Sequence, residues 1–378
     1  MASGNIKIYD HSRVSPPTST LQTSLSLTFF DLFWLRLYPV ERIFFYTLPT
    51  PLSHPSTFFN HVVPTLKTSL SHTLQHFPAL AGNLVWPSGS PIPLVKYTLG
   101  DTISFVVAQS EADFDQTLDN SPRNASESRA LVPHLESSDS HAEVLSLQIT
   151  LFPNRGFTIG ISTHHAVLDG KSSTLFVKAW SSLCKTIIES ESEPIKSPPL
   201  VKGLQPFFDR TVIKPASELG LNITEDWTEI LAKRFPQDNG DGRCLKLLPS
   251  SPRIEDADRA TFVLTRADLE KLKKRVLSKW ELESKSKDVS KPATLSSFVV
   301  TVAYALVCIA GSNRFGVYET DFGWGKPAKV EIASVDRAMT IGLAESKDAK
   351  GGVEVGLVLN KDVMDLFRTL FHEGLSNE

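Results

Sequence analysis

The sequence predicts a mixed α/β protein, of the α+β type with mixed sheets, that is divided into two domains. First, its 378 residues match two domains of about 150 residues each. Second, segments with strand and helix periodicity are mixed along the chain, without regular βαβ alternation. Third, residues 189–214 are rich in Glu, Ser, Pro and Lys, which is typical of a linker. The predicted domains are therefore residues 1–188 and 215–378, joined by the linker 189–214.

An amphipathic helix is the first element with a clear period. Apolar side chains recur at every fourth position from Phe58 to Leu74, which predicts a helix over residues 57–76. Pro64 lies inside this segment and would either kink the helix or shift its start. The helix is therefore expected to be irregular near its N-terminal end.

A β-hairpin is predicted where two alternating segments, residues 145–151 and 157–163, flank the turn Pro-Asn-Arg-Gly. If the alternation continues, His165 lies on the same face as the apolar residues of the second strand, and His164 lies on the opposite face. A helix with an apolar stripe is predicted to follow over residues 172–188.

The remaining elements are predicted from shorter patterns, separated by Gly, Pro and Ser. The predicted strands cover residues 79–86, 94–107 (one strand or two), 259–264, 328–332 and 352–359. The predicted helices cover residues 266–279, 294–309 and 362–371. The helix over 294–309 is expected to be buried. The apolar run over residues 298–310 is too short to cross the ~30 Å hydrocarbon core of a membrane.

Composition and charge exclude several classes of function. The chain has 39 Lys and Arg against 42 Asp and Glu, a net charge of −3, so it lacks the basic surplus that nucleic-acid binding requires. Its three cysteines include no CxxC pair for zinc or redox chemistry, as in proteins of reducing compartments. The N-terminus lacks the basic start and apolar run of a signal peptide. These features predict a soluble cytoplasmic protein with no nucleic-acid or membrane partner.

The clearest candidate for chemistry is a His-x-x-x-Asp-Gly motif that runs from His165 to Gly170. An imidazole with a pKa near ~6.5 can accept a proton at neutral pH, so His165 is a candidate general base; a hydrogen-bonded core histidine is the structural alternative. Asp169 precedes a predicted helix, where a carboxylate can instead cap the backbone or form an ion pair. A metal site is not predicted, because His164 and His165 face opposite sides of the strand.

A second segment, Asp321 to Gly325, has two glycines flanking a tryptophan after an aspartate. The glycines indicate a sharply folded loop with left-handed backbone. Asp321 is its one titratable side chain, so a structural role is favoured over a catalytic one. The sequence contains no Gly-x-Ser-x-Gly elbow of a serine hydrolase and no P-loop or Rossmann glycine pattern.

Together, the two motifs resemble the BAHD acyltransferases of plants, which carry His-x-x-x-Asp-Gly midway along the chain and Asp-Phe-Gly-Trp-Gly near the C-terminus. Residues 27–35 are similar to the malonyl-transferring branch of this family. Further matches to that branch lie at residues 77–82, 294–298 and 351–357. The resemblance therefore covers nearly the whole chain.

This resemblance implies two domains of the chloramphenicol-acetyltransferase type, with a substrate channel at their interface. It implies acyl-CoA, in particular malonyl-CoA, as a co-substrate, and no bound cofactor. The acyl group would pass to a hydroxyl of a phenolic, flavonoid or anthocyanin glucoside without a covalent enzyme intermediate. The enzyme would act as a monomer.

The resemblance also implies roles for individual residues. His165 would act as the general base, and Asp169 would hold the motif loop through an arginine. Trp34 would contact substrate. Lys171 would pair with the free malonyl carboxylate, although an exposed lysine at a helix start is the alternative. The residues that would shape the far side of the site are Asp321, Phe322, Gly323, Trp324 and Gly325.

One departure from the family pattern bears on activity. Relatives carry a block with an arginine-containing strand and a Tyr-Phe-Gly-Asn-Cys-type segment before the C-terminal motif. Here residues 308–312 run directly into Asn313, so an internal deletion is expected, and the arginine that anchors Asp169 is expected to be lost with it. Such a loss would remove sheet strands and expose apolar surface. The alternative function is therefore a catalytically inactive or unstable relative, a splice form or degenerate copy, that retains only the fold or ligand binding.

Overall fold

Strands and helices alternate irregularly along the chain. The computed structural model describes residues 6–190, 198–213, 229, 244–248, 256–283, 295–305, 308–337, 340–348 and 350–376. The strands in these ranges are β1 (Ile6–Val14), β2 (Thr23–Ser26), β3 (Val40–Thr47), β4 (Asn83–Val85), β5 (Leu94–Tyr97), β6 (Ile103–Ser110), β7 (Arg123–Asn124), β8 (His141–Glu143), β9 (Leu145–Phe152), β10 (Gly156–Thr163), β11 (Ala257–Leu264), β12 (Cys308–Gly311), β13 (Lys329–Ile332), β14 (Thr340–Glu345) and β15 (Val353–Asn360). The α-helices are α1 (Phe29–Leu32), α2 (Pro55–Thr57), α3 (Val63–His76), α4 (Pro78–Ala81), α5 (Phe114–Leu118), α6 (Ala125–Arg129), α7 (Gly170–Glu189), α8 (Arg266–Glu283), α9 (Ser297–Ala305) and α10 (Lys361–Ser376).

The largest sheet holds the predicted hairpin near its centre. Its strand order is β1-β6-β9-β10-β3-β13, and β9 and β10 pair antiparallel along their full lengths, with Phe157 opposite Leu151. Every residue of these two strands is buried, so the sheet is covered on both faces. The predicted hairpin is confirmed, and its second strand leads directly into the His-x-x-x-Asp-Gly motif.

Strands cross between the two halves of the chain. β13 lies beside β3 at the edge of the largest sheet, although almost 300 positions separate them. Conversely, β7 of the first half pairs with β11 of the second half, in a five-stranded sheet of order β12-β14-β15-β11-β7. A third sheet has the order β2-β5-β4-β8. This exchange links the two predicted domains; their boundaries stay a prediction.

Helices α3 and α7 pack against each other in the main core. Trp180 of α7 is fully buried, and its indole N–H donates to Ser69 Oγ of α3 at 3.0 Å. A π-helical turn over Phe58–Val62 precedes α3. Pro64 lies in the first turn of α3, and because helical residues precede it without a break, its missing N–H removes a hydrogen bond to the preceding turn. The irregularity expected at Pro64 is therefore this π-helical turn.

One predicted strand is wrong. Residues 79–86 are divided between the helical turn α4 and the short strand β4. Pro78 occupies the first position of α4, where its fixed φ favours a helical start. The strand predicted from the apolar residues therefore begins only at Asn83.

The predicted buried helix over residues 294–309 is also wrong in part. The helix α9 ends at Ala305, and the four residues of β12 instead pair parallel with β14, a strand that no pattern predicted. Phe298 and Val299 on α9 are 40% and 50% exposed. This helix is therefore only partly buried.

The other predicted elements of the second half are confirmed with small changes of boundary, as β11, α8, β13, β15 and α10. The predicted linker forms no helix or strand over residues 198–213, and residues 191–197 and 214 lie outside the described part. No helix in the described ranges combines the length and the hydropathy needed to span a bilayer.

Candidate active site

The His-x-x-x-Asp-Gly motif forms the turn between β10 and α7. The strand ends one residue before His164, and the helix begins directly after Asp169. Backbone hydrogen bonds fix the turn: His164 N donates to Val144 O at 2.9 Å, and the His164 carbonyl accepts from Val167 and Leu168 at 3.0 and 3.1 Å. The turn thereby holds the following histidine at a fixed place beside the sheet.

His165 lies on the wall of a cavity of about 420 Å³. Its imidazole stacks on the indole of Trp34, with ring centroids 4.1 Å apart and planes 18° from parallel. Much of the remaining wall is apolar and includes Phe30, Phe77, Leu80, Leu168, Leu175 and Phe208. Several residues between 206 and 213 also line it. No periodic pattern marks that segment, so its place at the site could not be predicted.

The two adjacent histidines have different surroundings. His165 is partly buried, and burial lowers its pKa, an effect that its own backbone carbonyl and the charge of Asp169 partly offset. His164 is fully buried, and burial lowers its pKa to about 4. Its Nδ1 accepts a hydrogen bond from Ala166 N at 3.3 Å. Both imidazoles are therefore neutral at pH 7, and of the two, His165 is the one that can take a proton from a molecule in the cavity.

Asp169 caps helix α7. Its Oδ1 accepts a hydrogen bond from Ser172 N at 2.6 Å, so the capping role weighed from the sequence is confirmed. The residue is exposed, and no ion pair reaches its carboxylate within the residues that the structure describes. The arginine contact implied by the family resemblance is therefore not seen in this part of the chain.

Arg42 on β3 supports the turn from another side. Its Nη1 donates to Thr174 Oγ1 at 2.7 Å, and that hydroxyl donates to Gly170 O at 2.7 Å. Arg42 is buried, and burial lowers its pKa to about 10, so it remains charged at neutral pH. Its role was not predicted; the available signal was a charged residue inside an otherwise apolar segment.

Lys171 lies in the first turn of α7 and is exposed. It is not among the described residues that line the cavity, so the structure does not bring it together with His165 there. Its pairing with a malonyl carboxylate stays a prediction.

The Asp-Phe-Gly-Trp-Gly loop closes on itself through its aspartate. Asp321 Oδ1 accepts hydrogen bonds from Gly323 N and Gly325 N, each at 2.9 Å. The glycine φ values are +99° and +108°, so the predicted left-handed backbone is confirmed. Burial opposes the ionisation of Asp321, but these hydrogen bonds and Lys185 at 3.2 Å together hold its pKa below the ordinary value. Asp321 therefore stabilises the loop as a carboxylate.

Two aromatic side chains anchor this loop to the core. Phe322 is fully buried and meets Trp180 of α7 and Tyr46 of β3 edge-on, at centroid distances of 4.9 and 5.5 Å. Trp324 meets Phe157 of β10 edge-on at 6.1 Å. The loop thus fastens the helix after the motif to the strand before it, and its five residues are not among those described on the cavity wall.

Comparison with known proteins identifies the family. The sequence profile described as the Transferase family matches residues 5–233 and 251–373. The chain is 36% identical to phenolic glucoside malonyltransferase 1 of Arabidopsis thaliana, over 99% of the chain and 98% of that protein. The chain belongs to the BAHD acyltransferases. BAHD enzymes use an acyl-CoA donor, so the enzyme class predicted from the two motifs is confirmed.

Further comparisons agree with this BAHD assignment. The chain is 33% identical to malonyl-CoA:anthocyanidin 5-O-glucoside-6''-O-malonyltransferase of Arabidopsis thaliana, over 98% of each protein. Its fold is similar to the crystal structure of vinorine synthase, with a TM-score of 0.59 and 17% identity over 96% of each chain. The predicted mixed α/β fold of the chloramphenicol-acetyltransferase type is thereby confirmed.

The comparison also measures what this BAHD chain lacks. Its alignment with phenolic glucoside malonyltransferase 1 runs over 478 positions, whereas the chain has 378 residues, which leaves at least 100 positions (478 less 378) without a residue here. The alignment nevertheless covers 99% of the chain and 98% of the relative. The missing positions are therefore internal. Their place directly before the C-terminal motif stays a prediction.

Proposed function

We propose that this BAHD acyltransferase transfers a malonyl group from malonyl-CoA to a sugar hydroxyl of a phenolic or flavonoid glucoside, anthocyanins included. The names of its relatives support this substrate class, since they include a phenolic glucoside malonyltransferase and an anthocyanidin glucoside malonyltransferase. The observation that carries the proposal is the position of His165, a neutral imidazole on the wall of a largely apolar cavity.

In the proposed reaction, His165 removes the proton from the acceptor hydroxyl as its oxygen attacks the thioester carbonyl. A new C–O bond forms and gives a tetrahedral oxyanion, which then collapses with cleavage of the C–S bond. The CoA thiolate leaves and takes the proton back from the imidazolium. The products are a malonyl ester and free CoA, and the enzyme forms no covalent intermediate.

Other residues are proposed to support this reaction. Trp34 stacks on the imidazole and is proposed to contact substrate in the cavity. Asp169 supports the motif turn as the cap of α7. The loop from Asp321 to Gly325 is proposed to keep α7 and the central sheet in register. Lys171 is the residue that the family resemblance assigns to the malonyl carboxylate.

The test is to incubate the purified chain with malonyl-CoA and a flavonoid glucoside and to follow CoA release. His165→Ala should reduce kcat by about 10²- to 10⁴-fold, because a general base contributes that much. His134→Ala is the matched control, since His134 is 78% exposed and should leave the rate unchanged. An unchanged rate in His165→Ala would contradict the assignment of the base.

A second candidate function is an inactive or unstable relative that retains the fold or ligand binding. The observation in its favour is the internal loss of at least 100 positions together with the exposed apolar face of α9. The discriminating experiment inserts the corresponding segment of a relative after Ser312. If the present chain releases no CoA and the chain with the insertion does, the second function is correct.

We also propose that the chain acts as a cytoplasmic monomer, without a metal, nucleic-acid or membrane partner. Its charge balance supports the absence of a nucleic-acid partner, and its cysteine usage supports a reducing compartment. Size-exclusion chromatography with light scattering should give a mass near 41.7 kDa. A mass of twice that value would contradict the monomer.

A further inference from the structure

The cavity beside His165 also contains an ion pair, between Arg210 and Asp31. Arg210 Nη1 donates to Asp31 Oδ2 at 3.3 Å. The same oxygen accepts shorter hydrogen bonds from Thr28 N at 2.7 Å and from Thr28 Oγ1 at 2.9 Å. The bond from Thr28 N belongs to the capping box of α1, and the bond from the Thr28 hydroxyl holds the same carboxylate in place. Asp31 therefore serves mainly as a helix cap, and Arg210 adds a third and longer contact.

Arg210 keeps hydrogen-bond donors available. A guanidinium has five N–H groups, and within the part of the chain that the structure describes, the contact with Asp31 is the one hydrogen bond of this side chain. The side chain is 34% exposed, so a molecule in the cavity can reach the remaining donors.

The other fixed charges that line the cavity are acidic and already hold hydrogen bonds. Asp169 caps α7, and Asp209 accepts from Thr211 N and Oγ1 at 2.9 and 2.6 Å. Lys171 lies outside the described lining. Among the lining residues that the structure describes, Arg210 is thus the one permanently charged cation. Because the surrounding wall is largely apolar, water screens a charge there less than at the surface.

We propose that Arg210 determines donor specificity by binding the free carboxylate of a dicarboxylic acyl-CoA while the thioester carbonyl lies near His165. A guanidinium and a carboxylate form charge-assisted, bidentate hydrogen bonds. An acetyl donor has no group to accept them. This inference rests on the acyl transfer proposed above and assigns carboxylate recognition to the segment between the two domains instead of to Lys171.

The phosphates of CoA carry the same kind of charge, so the experiment has to separate the two anions. Affinities for malonyl-CoA, acetyl-CoA and free CoA are measured by isothermal titration calorimetry, and kcat/KM is measured with both acyl donors. The variants are Arg210→Ala, Arg210→Lys, Lys171→Ala and Lys202→Ala. Lys202 is the matched control, because it is an exposed cation of the same segment that does not line the cavity.

Arg210→Ala should lower the preference for malonyl-CoA over acetyl-CoA by about 10- to 100-fold, the range expected for a charge-assisted hydrogen bond. Its affinity for free CoA should not change. Arg210→Lys should keep part of the preference, because it retains the charge and loses the bidentate geometry. Lys202→Ala should match the wild-type chain in every measurement.

Two results would overturn this inference. Equal losses of affinity for all three ligands in Arg210→Ala would show that the arginine binds a phosphate of CoA. An unchanged preference in Arg210→Ala, with a reduced preference in Lys171→Ala, would return carboxylate recognition to the lysine. Near-ultraviolet circular dichroism checks that each variant is folded, and Arg210→Lys retains a cation beside Asp31 if the alanine variant unfolds.

The binding measurements separate this inference from the proposed reaction. If the wild-type chain transfers neither acyl group but binds malonyl-CoA more tightly than acetyl-CoA through Arg210, the reaction proposal fails and the recognition proposal stands. If it transfers both groups at equal rates in wild-type and Arg210→Ala forms, only the recognition proposal fails. A wild-type chain that binds no acyl-CoA would overturn both.

Discussion

The turn that carries His165 and the segment formed by α9 and β12 differ in how completely they are packed. Around the turn, every residue of β9 and β10 is buried, and Trp180 and Phe322 are fully enclosed. On α9, by contrast, Phe298 and Val299 are 40% and 50% exposed. β12 is a four-residue strand at the edge of its sheet. The region around the turn is a fully packed core, whereas the α9 and β12 segment presents apolar surface to solvent.

The two regions differ in packing because they pack against different parts of the chain. The turn is held by its own hairpin, by α3 and α7, and by the Asp321 to Gly325 loop, all of which this chain contains. The α9 and β12 segment lies where the loss of at least 100 aligned positions is proposed to fall. An internal loss can therefore leave the geometry of a catalytic motif intact and still uncover a distant apolar helix face.

The largest expected effect is a difference in the free energy of unfolding between two variants, each with one phenylalanine replaced by alanine. Phe322→Ala removes a fully buried ring that contacts Trp180 and Tyr46, and it should lower the free energy of unfolding by about 3–5 kcal/mol. Phe298→Ala removes a ring that is 40% exposed and should cost about 1 kcal/mol or less. Urea denaturation followed by far-ultraviolet circular dichroism measures both. Equal losses would show that α9 is as well packed as the loop, and the contrast would disappear.

His164 gives a pH-dependent test of the packed region. Its pKa in the folded chain is about 4, against 6.5 for an unperturbed imidazole. A lowered pKa means that its contribution to stability is complete above pH 6.5 and is lost as the pH falls toward 4, since the unfolded chain binds the proton first. This group alone should lower the free energy of unfolding by about 2 kcal/mol at pH 5.

The measurement compares urea midpoints at pH 8 and pH 5 for the wild-type chain, His164→Asn and His134→Asn. His164→Asn should lose less stability between the two pH values than the wild-type chain, because the buried titrating group is gone. His134→Asn should keep the wild-type difference, since His134 is exposed. If all three chains lose the same stability on acidification, His164 is not the group responsible.

The parts of the site that local patterns determine could be predicted from the sequence. The hairpin follows from strict alternation over residues 145–163, and the left-handed glycines follow from the Asp-Phe-Gly-Trp-Gly pattern. The capping role of Asp169 follows from a short carboxylate before a helix. In each case the physical cause lies within a few residues of the effect, so a single sequence contains it.

The contacts between distant parts of the chain could not be predicted in this way. Arg42 reaches Thr174 across 132 positions, and Arg210 reaches Asp31 across 179 positions. Neither arginine lies in a periodic pattern that indicates its partner. Helix α9 shows a second reason why the sequence prediction failed. Its apolar sequence predicts burial, but burial also requires a surface to pack against. The described residues provide such a surface on only one side of the helix.

The smallest expected effect is at Asp169, where a substitution pair distinguishes helix capping from ion pairing. It tests whether the packed turn needs the arginine contact that the family resemblance implies. Asp169→Ala removes the acceptor for Ser172 N and should cost about 1 kcal/mol in urea denaturation. Asp169→Asn keeps an acceptor and removes the charge, so it should retain nearly all of the stability. Ser172→Ala is the control, because its backbone N–H remains. Equal losses in Asp169→Ala and Asp169→Asn would mean that the charge itself stabilises the turn, and that the turn depends on a cation.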